Sequence, residues 1–387
     1  MTTLTSTARP RAARLAVQAQ FFICGLLFAT WGVHVPTVRA QYGLTDAQLS
    51  YLMLAAAVGA IISLLLVGGW IARFGARRVV LVAGVALCGT IASLFAMPSY
   101  PALLGLLLVF GLGNSAFDVA MNTEAVEVER AYGTPIMSSF HGFFSLGGLA
   151  GAGVGSLIAA ANVAPVLHVV TTSVLAYVLI GYASMHMLPD SHTQTDDESA
   201  HGFSLPPRAV VLLGILCALG FVGEGAMYDW STLYMAKDLG TQQTVAAWGY
   251  GAFSAFMAAG RFGGDFIRAR LGGERTLRLS AWLAAISMLV ALSLHHPVAA
   301  LIGFSLAGLG FANMVPVLFS AAANVPGISA GRGIAGVASC GYFGFLAGPP
   351  LIGGIAEVAG LPYALVVVGA VCILIALLCK RAMHSHA

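Results

Sequence analysis

Long runs without a single charge are what most constrain this chain. Leu15–Val38 and Ala47–Ala72 contain no Asp, Glu, Lys or Arg. About 20 apolar residues carry a helix across the hydrocarbon of a bilayer, so each run is one span. Val79–Phe117 is long enough for two, divided at Met97-Pro98-Ser99-Tyr100-Pro101, and Ala131–Pro189 for two more, divided near Asn162-Val163-Ala164-Pro165. Ala209–Ala236, which carries acids, and Leu239–Gly260 follow. Leu279–Gly331 gives two spans divided at His295-His296-Pro297, and Gly333–Ala356 and Val358–Cys379 give one each. Pro, Gly and Asn punctuate the runs as turn residues do. Hydrocarbon offers the backbone no hydrogen-bond partner, so such spans are helices. The expected fold is an all-α integral membrane protein of twelve transmembrane helices. A soluble domain would carry about 25% charged residues; here the share is 9%, too little to cover a water-facing globule.

Charge placement gives an orientation. With a cytoplasmic N-terminus, sixteen of the 18 Lys and Arg fall on the inner side and only Arg39 and Lys237 fall outside. That asymmetry is the positive-inside signature and puts both termini in the cytoplasm. The net charge of +3 then reflects topology and gives no sign of nucleic-acid binding. The six cysteines all lie in apolar runs without metal-ligand spacing and read as buried small hydrophobes. Asp190–His201, followed by Pro206-Pro207, reads as a flexible cytoplasmic linker. The expected domains are a first six-helix bundle over 1–188, a linker over 189–207 and a second bundle over 208–387.

The two halves echo each other. Gly43 matches Gly240, Ala72-Arg73-Phe74-Gly75 matches Ala269-Arg270-Leu271-Gly272, Gly111-Leu112-Gly113 matches Gly308-Leu309-Gly310, and Gly147 matches Gly344. Every pair is 197 residues apart (Gly43 and Gly240, Gly147 and Gly344). Repeated halves place a substrate site near the midplane, at the interface of the repeats.

Twelve spans, a central polar linker and a basic loop repeated in both halves resemble the major facilitator superfamily over the whole chain. Gly68-Gly69-Trp70-Ile71-Ala72-Arg73-Phe74-Gly75-Ala76-Arg77-Arg78 resembles its Gly-rich basic signature, with Ala72 where that signature has Asp. Within the superfamily, Asp118-Val119-Ala120-Met121-Asn122 is similar to an acid-x-x-x-Asn element of the fucose-permease-like branch. Glu224-Gly225-Ala226-Met227-Tyr228-Asp229-Trp230 and Gly348-Pro349-Pro350-Leu351-Ile352-Gly353-Gly354 resemble its YbjJ-like members. The resemblance implies two pseudo-symmetric six-helix bundles (the major facilitator fold), a bacterial inner membrane location, a monomer and a small-molecule substrate. Gly32 occupies the position of that branch's acid on the first span.

An ionisable group at the centre of a span costs about 3 kcal/mol on insertion scales, so such groups face a cavity or a partner. Asp118, Glu224 and Asp229 are the acids inside spans. Asp118 on the fourth span and His141 on the fifth lie at similar depth in an antiparallel hairpin and are expected to interact. A desolvated carboxylate has a raised pKa and can load and release a proton near neutral pH. Asp118, Glu224 and His141 are therefore the proton-coupling candidates. Asn122 lies one turn from Asp118, and Tyr228 one turn from Glu224. Trp31, Asn114, Asn122, Tyr228, Asp229, Phe311, Asn313 and Tyr342 are the candidate substrate contacts, Trp31 with packing and Asn313 with a helix partner as equal readings. Pro316 removes a backbone donor beside Asn313, and Pro349-Pro350 can break the eleventh span. Gly147-Gly148-Leu149-Ala150-Gly151 reads as helix packing and lacks the proline of the drug/proton antiporter signature. Arg73, Arg77, Arg261, Asp265, Arg270 and Arg332, with Glu124, Glu127 and Glu129 at the same level, form a candidate cytoplasmic gate.

These residues point to a secondary transporter working by alternating access: proton-coupled symport of a small polar, sugar-like solute, with proton-coupled export of metabolites or drugs as the alternative. A membrane-embedded enzyme needs a catalytic loop or a metal cluster. No predicted outer loop is long enough and no His-x-x-Glu-His or nucleotide-binding Gly-Lys motif occurs, so the chain reads as no enzyme, with no cofactor and an ion gradient as its energy source. A receptor is the remote reading.

Overall fold

The computed structural model describes residues 8–133, 136–188, 210–326, 328 and 330–384. The linker read at 189–207 lies outside them. Among the described residues every regular element is a helix: α1 Ala8–Tyr42, α2 Asp46–Phe74, α3 Ala76–Ala92, α4 Tyr100–Tyr132, α5 Met137–Ala160, α6 Pro165–Ser184, α7 Val211–Leu233, α8 Gln243–Leu271, α9 Gly273–Leu294, α10 Pro297–Phe311, α11 Met314–Ala323, α12 Ala330–Ala359 and α13 Leu361–His384. Ten runs are long and apolar enough to cross a membrane, the tenth predicted span counting once as Pro297–Ala322. α3, at 17 residues, and α8 are not among the ten.

Local chemistry fixes the helix ends. Ser99 accepts from the Ala102 N–H at 3.4 Å to cap α4, and Pro101, Pro165 and Pro297 occupy first turns, where a missing N–H costs nothing. Thr45 and Gln48 make a reciprocal capping box at the start of α2: Thr45 N–H donates to Gln48 Oε1 at 3.0 Å and Gln48 N–H to Thr45 Oγ1 at 3.2 Å. The tenth predicted span is broken at Ala312-Asn313. Pro316 has no N–H for the Ala312 carbonyl, so the ladder fails there and restarts as α11. α12 instead runs unbroken through Pro349 and Pro350, against the expected break; neighbouring helices and small local adjustments make prolines tolerable in such helices. α7 closes with a π-helical turn, Tyr234–Asp238.

The chain divides into two compact units, Met1–Trp31 with Ala55–Asp196, and Gly32–Leu54 with Asp197–Ala387. Gly32–Leu54, counted with the first half on sequence grounds, thus falls with the second.

Within each unit, glycines decide which helices touch. In the first, a Cβ on Gly111 of α4 would land on the Ala56 carbonyl of α2, and one on Gly113 would meet Ala83 O and Leu87 N of α3. In the second, Gly308 faces the Phe253 carbonyl of α8, and Gly310 faces Ser280 O and Ala284 N of α9. Each partner is 197 residues from its counterpart (Ala56 and Phe253, Ala83 and Ser280, Leu87 and Ala284). The repeated Gly-Leu-Gly is therefore a wedge that seats one helix between two others in both halves. Gly147 meets Phe22 of α1 and Gly344 meets Ala218 of α7 in the same way. The turn glycines repeat as well: Gly43 and Gly240 have φ 61° and 64°, and Gly75 and Gly272 have φ 81° and 76°, a region that other residues enter only with strain.

Gly111→Ala and Gly308→Ala should each destabilise the protein by at least about 1–3 kcal/mol, the usual cost of overpacking, read as a lower Tm in detergent. Gly105→Ala, with nothing within 4 Å of the new methyl, should leave Tm unchanged or raise it, because Ala is the better helix former.

Candidate functional site

α4 carries Asn114, Asp118 and Asn122 four residues apart, on one helix face. Asn122 Nδ2 donates to Asp118 Oδ1 at 3.2 Å and to the Asp118 carbonyl at 2.9 Å. Cys24 Sγ of α1 points at Asn114 Oδ1, 3.7 Å away. The result is one half-buried carboxylate held by a neutral amide, Asn122. Asn122, one turn away on the same helix, takes the carboxylate, while the His141 ring lies edge-on to Phe21 with centroids 5.2 Å apart. Equal depth along two helices does not fix which way their side chains face. Trp31 is buried, 6.4 Å from the Phe110 ring and next to Phe28, which stacks on Phe110 at 6.1 Å. It belongs to an aromatic core.

The second unit holds a different arrangement. Glu224 Oε1 of α7 accepts from Arg261 Nη2 of α8 at 3.2 Å, with side chains 9% and 15% exposed. At that burial each charge depends on the other. Arg261 was expected at the cytoplasmic gate. It lies ten residues short of Leu271, the end of α8, about 15 Å at 1.5 Å per residue, and a guanidinium at that depth needs a counter-ion, which Glu224 supplies. One turn beyond Glu224, Tyr228 points its hydroxyl at Met257 Sδ, 3.3 Å away. Its ring is 5.0 Å from Tyr250 and 5.1 Å from Phe253, which in turn meets Phe311 at 6.0 Å. Gly32 lies flat against the Tyr250 ring, where any Cβ would clash. An acid at this position of the first span has no room here.

Asn313 is 7% exposed at the break between α10 and α11. Its amide rests on Gly264 of α8, where a Cβ would strike the Asn313 side-chain oxygen. Asp229 and Tyr342 are half-buried. A cavity of about 440 Å³ lined by Arg268, Ser320 and Asn324 lies elsewhere, away from Glu224, Tyr228 and Asn313.

Arg73 lies over the Phe74 ring at 5.2 Å and Arg270 over Phe266 at 4.1 Å, both exposed, as are Arg77 and Arg78. Two of the acids grouped with them bind backbone N–H groups. Glu129 accepts from the Ile136 and Met137 N–H groups at 2.7 Å each, capping α5, and Glu124 accepts from Leu188 N–H at 2.6 Å. Glu127 pairs with Arg130 at 2.9 Å. The side chains of Asp265 and Arg332 lie outside the described residues.

One polar centre was missed. Asp46 of α2 accepts from Arg39 Nε at 3.1 Å and from Lys237 Nζ at 2.5 Å. The two cations that the charge map leaves on the outer side converge on a single carboxylate. The signal was available in those two isolated charges and in the capping box Thr45-Asp46-Ala47-Gln48; what sequence could not supply was the pairing across 191 residues.

An all-helical chain of apolar spans, built from two repeats that each hold an acid inside a span, is a polytopic transporter scaffold. The comparisons with known proteins agree. The family model described as Major Facilitator Superfamily matches residues 19–327 and 212–384. An uncharacterized MFS-type transporter of Yersinia pestis is 37% identical over 351 residues, covering 91% of either chain. Membrane protein MosC of Rhizobium meliloti is 35% identical over 361 residues, covering 93% of this chain and 88% of MosC. The crystal structure of the nucleoside transporter NupG superimposes with a TM-score of 0.75 at 12% identity, over 96% of this chain and 99% of NupG. The chain belongs to the Major Facilitator Superfamily: it is a multi-pass membrane transporter and not an enzyme.

Glu224→Gln should strand the Arg261 charge and cost about 3–5 kcal/mol, as breaking a buried ion pair does. Glu224→Gln with Arg261→Gln should lose much less than the sum of the two single changes. Thermal unfolding of the four proteins in detergent measures that coupling.

Proposed function

We propose that this transporter is a proton-coupled symporter of a small, polar, sugar-like solute, working by alternating access in a bacterial inner membrane with both termini in the cytoplasm. The observation that carries the reading is the difference between the two intramembrane acids. Asp118 accepts from a neutral amide, that of Asn122, so it can gain or lose a proton without stranding that partner's charge. Glu224 is tied to Arg261, and a guanidinium stays charged at any physiological pH. Protonating Glu224 leaves a buried cation unanswered. Asp118 is therefore the proton carrier, and Glu224–Arg261 is a fixed dipole at the edge of the substrate path. Burial takes Glu224 and Arg261 out of water, so the pair serves as an orienting element for a polar solute and Tyr228 as its aromatic flank.

The amides support a hydroxyl-bearing solute. Asn114, Asn122 and Asn313 each offer a donor and an acceptor, which suits groups that both give and take hydrogen bonds. The missing proline in Gly147-Gly148-Leu149-Ala150-Gly151 speaks for uptake over drug/proton exchange. The motifs around Asp118, Glu224 and Gly348 favour the fucose-permease-like, YbjJ-like branch. The reading also takes the protein to be a monomer, with His141 orienting the first span near Asp118.

Purified protein is first screened by thermal shift against sugars, polyols, organic acids and amines. The hit is then followed in proteoliposomes with an inward proton gradient. Wild type should accumulate the solute only with the gradient. Asp118→Asn should lose gradient-driven accumulation by roughly tenfold or more, the size of a typical site-to-site coupling, and keep exchange of labelled for unlabelled solute. Undiminished gradient-driven accumulation by Asp118→Asn removes the proton role, and gradient-driven extrusion in place of uptake turns the reading to export.

A further inference from the structure

The polar contacts of Gly32–Leu54 with α7, α8 and α12 are concentrated at one end of the second unit. We infer that Asp46 and the groups gathered around it form a latch that holds the outer ends of α1 and α2 against the second half and must release once in every transport cycle. The inference rests on the proposed orientation, in which this end faces outward.

The latch is built on the first turn of α2. Asp46 is the first helical residue after the Thr45 cap, where the positive end of the helix dipole favours a carboxylate. Its side chain is 6% exposed, and its two oxygens are divided between Arg39 and Lys237. Arg39 belongs to the same hairpin: the turn through Gly43, with Leu44 N–H on the Arg39 carbonyl at 3.0 Å, brings it back to Asp46. Lys237 comes from the π turn that ends α7, the separable side of the contact. The next N–H of α2, on Ala47, donates to Glu357 Oε2 of α12 at 2.9 Å. Gln243 Nε2 of α8 donates to the Val33 carbonyl of α1 at 2.6 Å. Gly353 of α12 leaves no room for a side chain beside Ser50. These contacts close one surface from three helices, and Val33 beneath it is 1% exposed.

Charge makes the latch reversible. Asp238, the residue after Lys237, lies within the electrostatic reach of Lys237, Arg39, His295 and Asp46. Two carboxylates and two permanent cations therefore share the node. Removing the Asp46 charge takes away the carboxylate that Arg39 and Lys237 both hold and leaves Asp238 as the one acid facing two cations, so the attraction between hairpin and α7 weakens sharply.

The test is outer-side accessibility in the full-length protein. Val33→Cys is placed in the otherwise native chain, and its reaction with a membrane-impermeant maleimide is followed in right-side-out and inside-out vesicles, with the parent protein as background and denatured samples for total thiol. Val33→Cys alone should react slowly. Adding Lys237→Ala or Asp46→Asn should speed the reaction from the outer side by roughly fivefold or more, and Lys237→Arg should not. Unchanged rates in both charge-removing variants overturn the latch, as does an equal rise with Lys237→Arg. A rise seen only in inside-out vesicles keeps the latch and overturns the orientation on which the proposed function stands.

Discussion

Helices in lipid gain nothing by hiding apolar surface from a solvent that is itself apolar, so what holds them together must be shape and internal hydrogen bonding. The carbonyl-on-glycine approach is the contact on which this structure depends. Gly111 on Ala56 and Gly308 on Phe253 bring α4 against α2 and α10 against α8 closer than any side chain permits. Gly113 and Gly310, two residues on, turn the opposite face of the same helices toward α3 and α9. Because one three-residue motif fixes two neighbours at once, repeating the motif repeats the bundle. Sequence elsewhere is then free to diverge.

That freedom is used for charge. The Gly-Leu-Gly wedge in the first unit stands next to Asn114, Asp118 and Asn122. In the second it stands next to Asn313 and one helix away from Glu224 and Arg261. A carboxylate held by an amide and a carboxylate bound to a guanidinium differ in what a proton does to them. The first becomes a neutral acid that still hydrogen-bonds Asn122. The second would leave a buried cation, and a buried charge without a partner costs several kcal/mol. One scaffold thus holds one titratable acid and one fixed pair.

The spans, turns and repeat were legible because each leaves a local mark: a run without charge, a proline or glycine, a constant offset. Gly43, Gly75, Gly240 and Gly272 could be matched by eye and do share positive φ. Side-chain partners left no such mark. Depth along a helix follows from counting; rotation about the axis, which brings Asn122 onto Asp118, does not. The row of acids Glu124, Glu127 and Glu129 is visible in the sequence, but that Glu129 caps a helix and Glu124 holds a backbone N–H is not. Arg261 was grouped with the loops because it is basic, although its distance from the helix end already put it inside the membrane.

The division of the chain falls between Trp31 and Gly32 in α1, next to two local defects in the helix. Pro36 has no N–H to give to the carbonyl four residues earlier, which is that of Gly32. Gly32 has no side chain to pack and costs helix stability by itself, roughly 1 kcal/mol relative to Ala. Two defects therefore fall at one residue of an otherwise continuous 35-residue helix. On one side of it α1 is bound by Gly25 to α5; on the other it is bound through Val33 to α8. The Tyr250 ring stacked on Gly32 keeps the position a glycine.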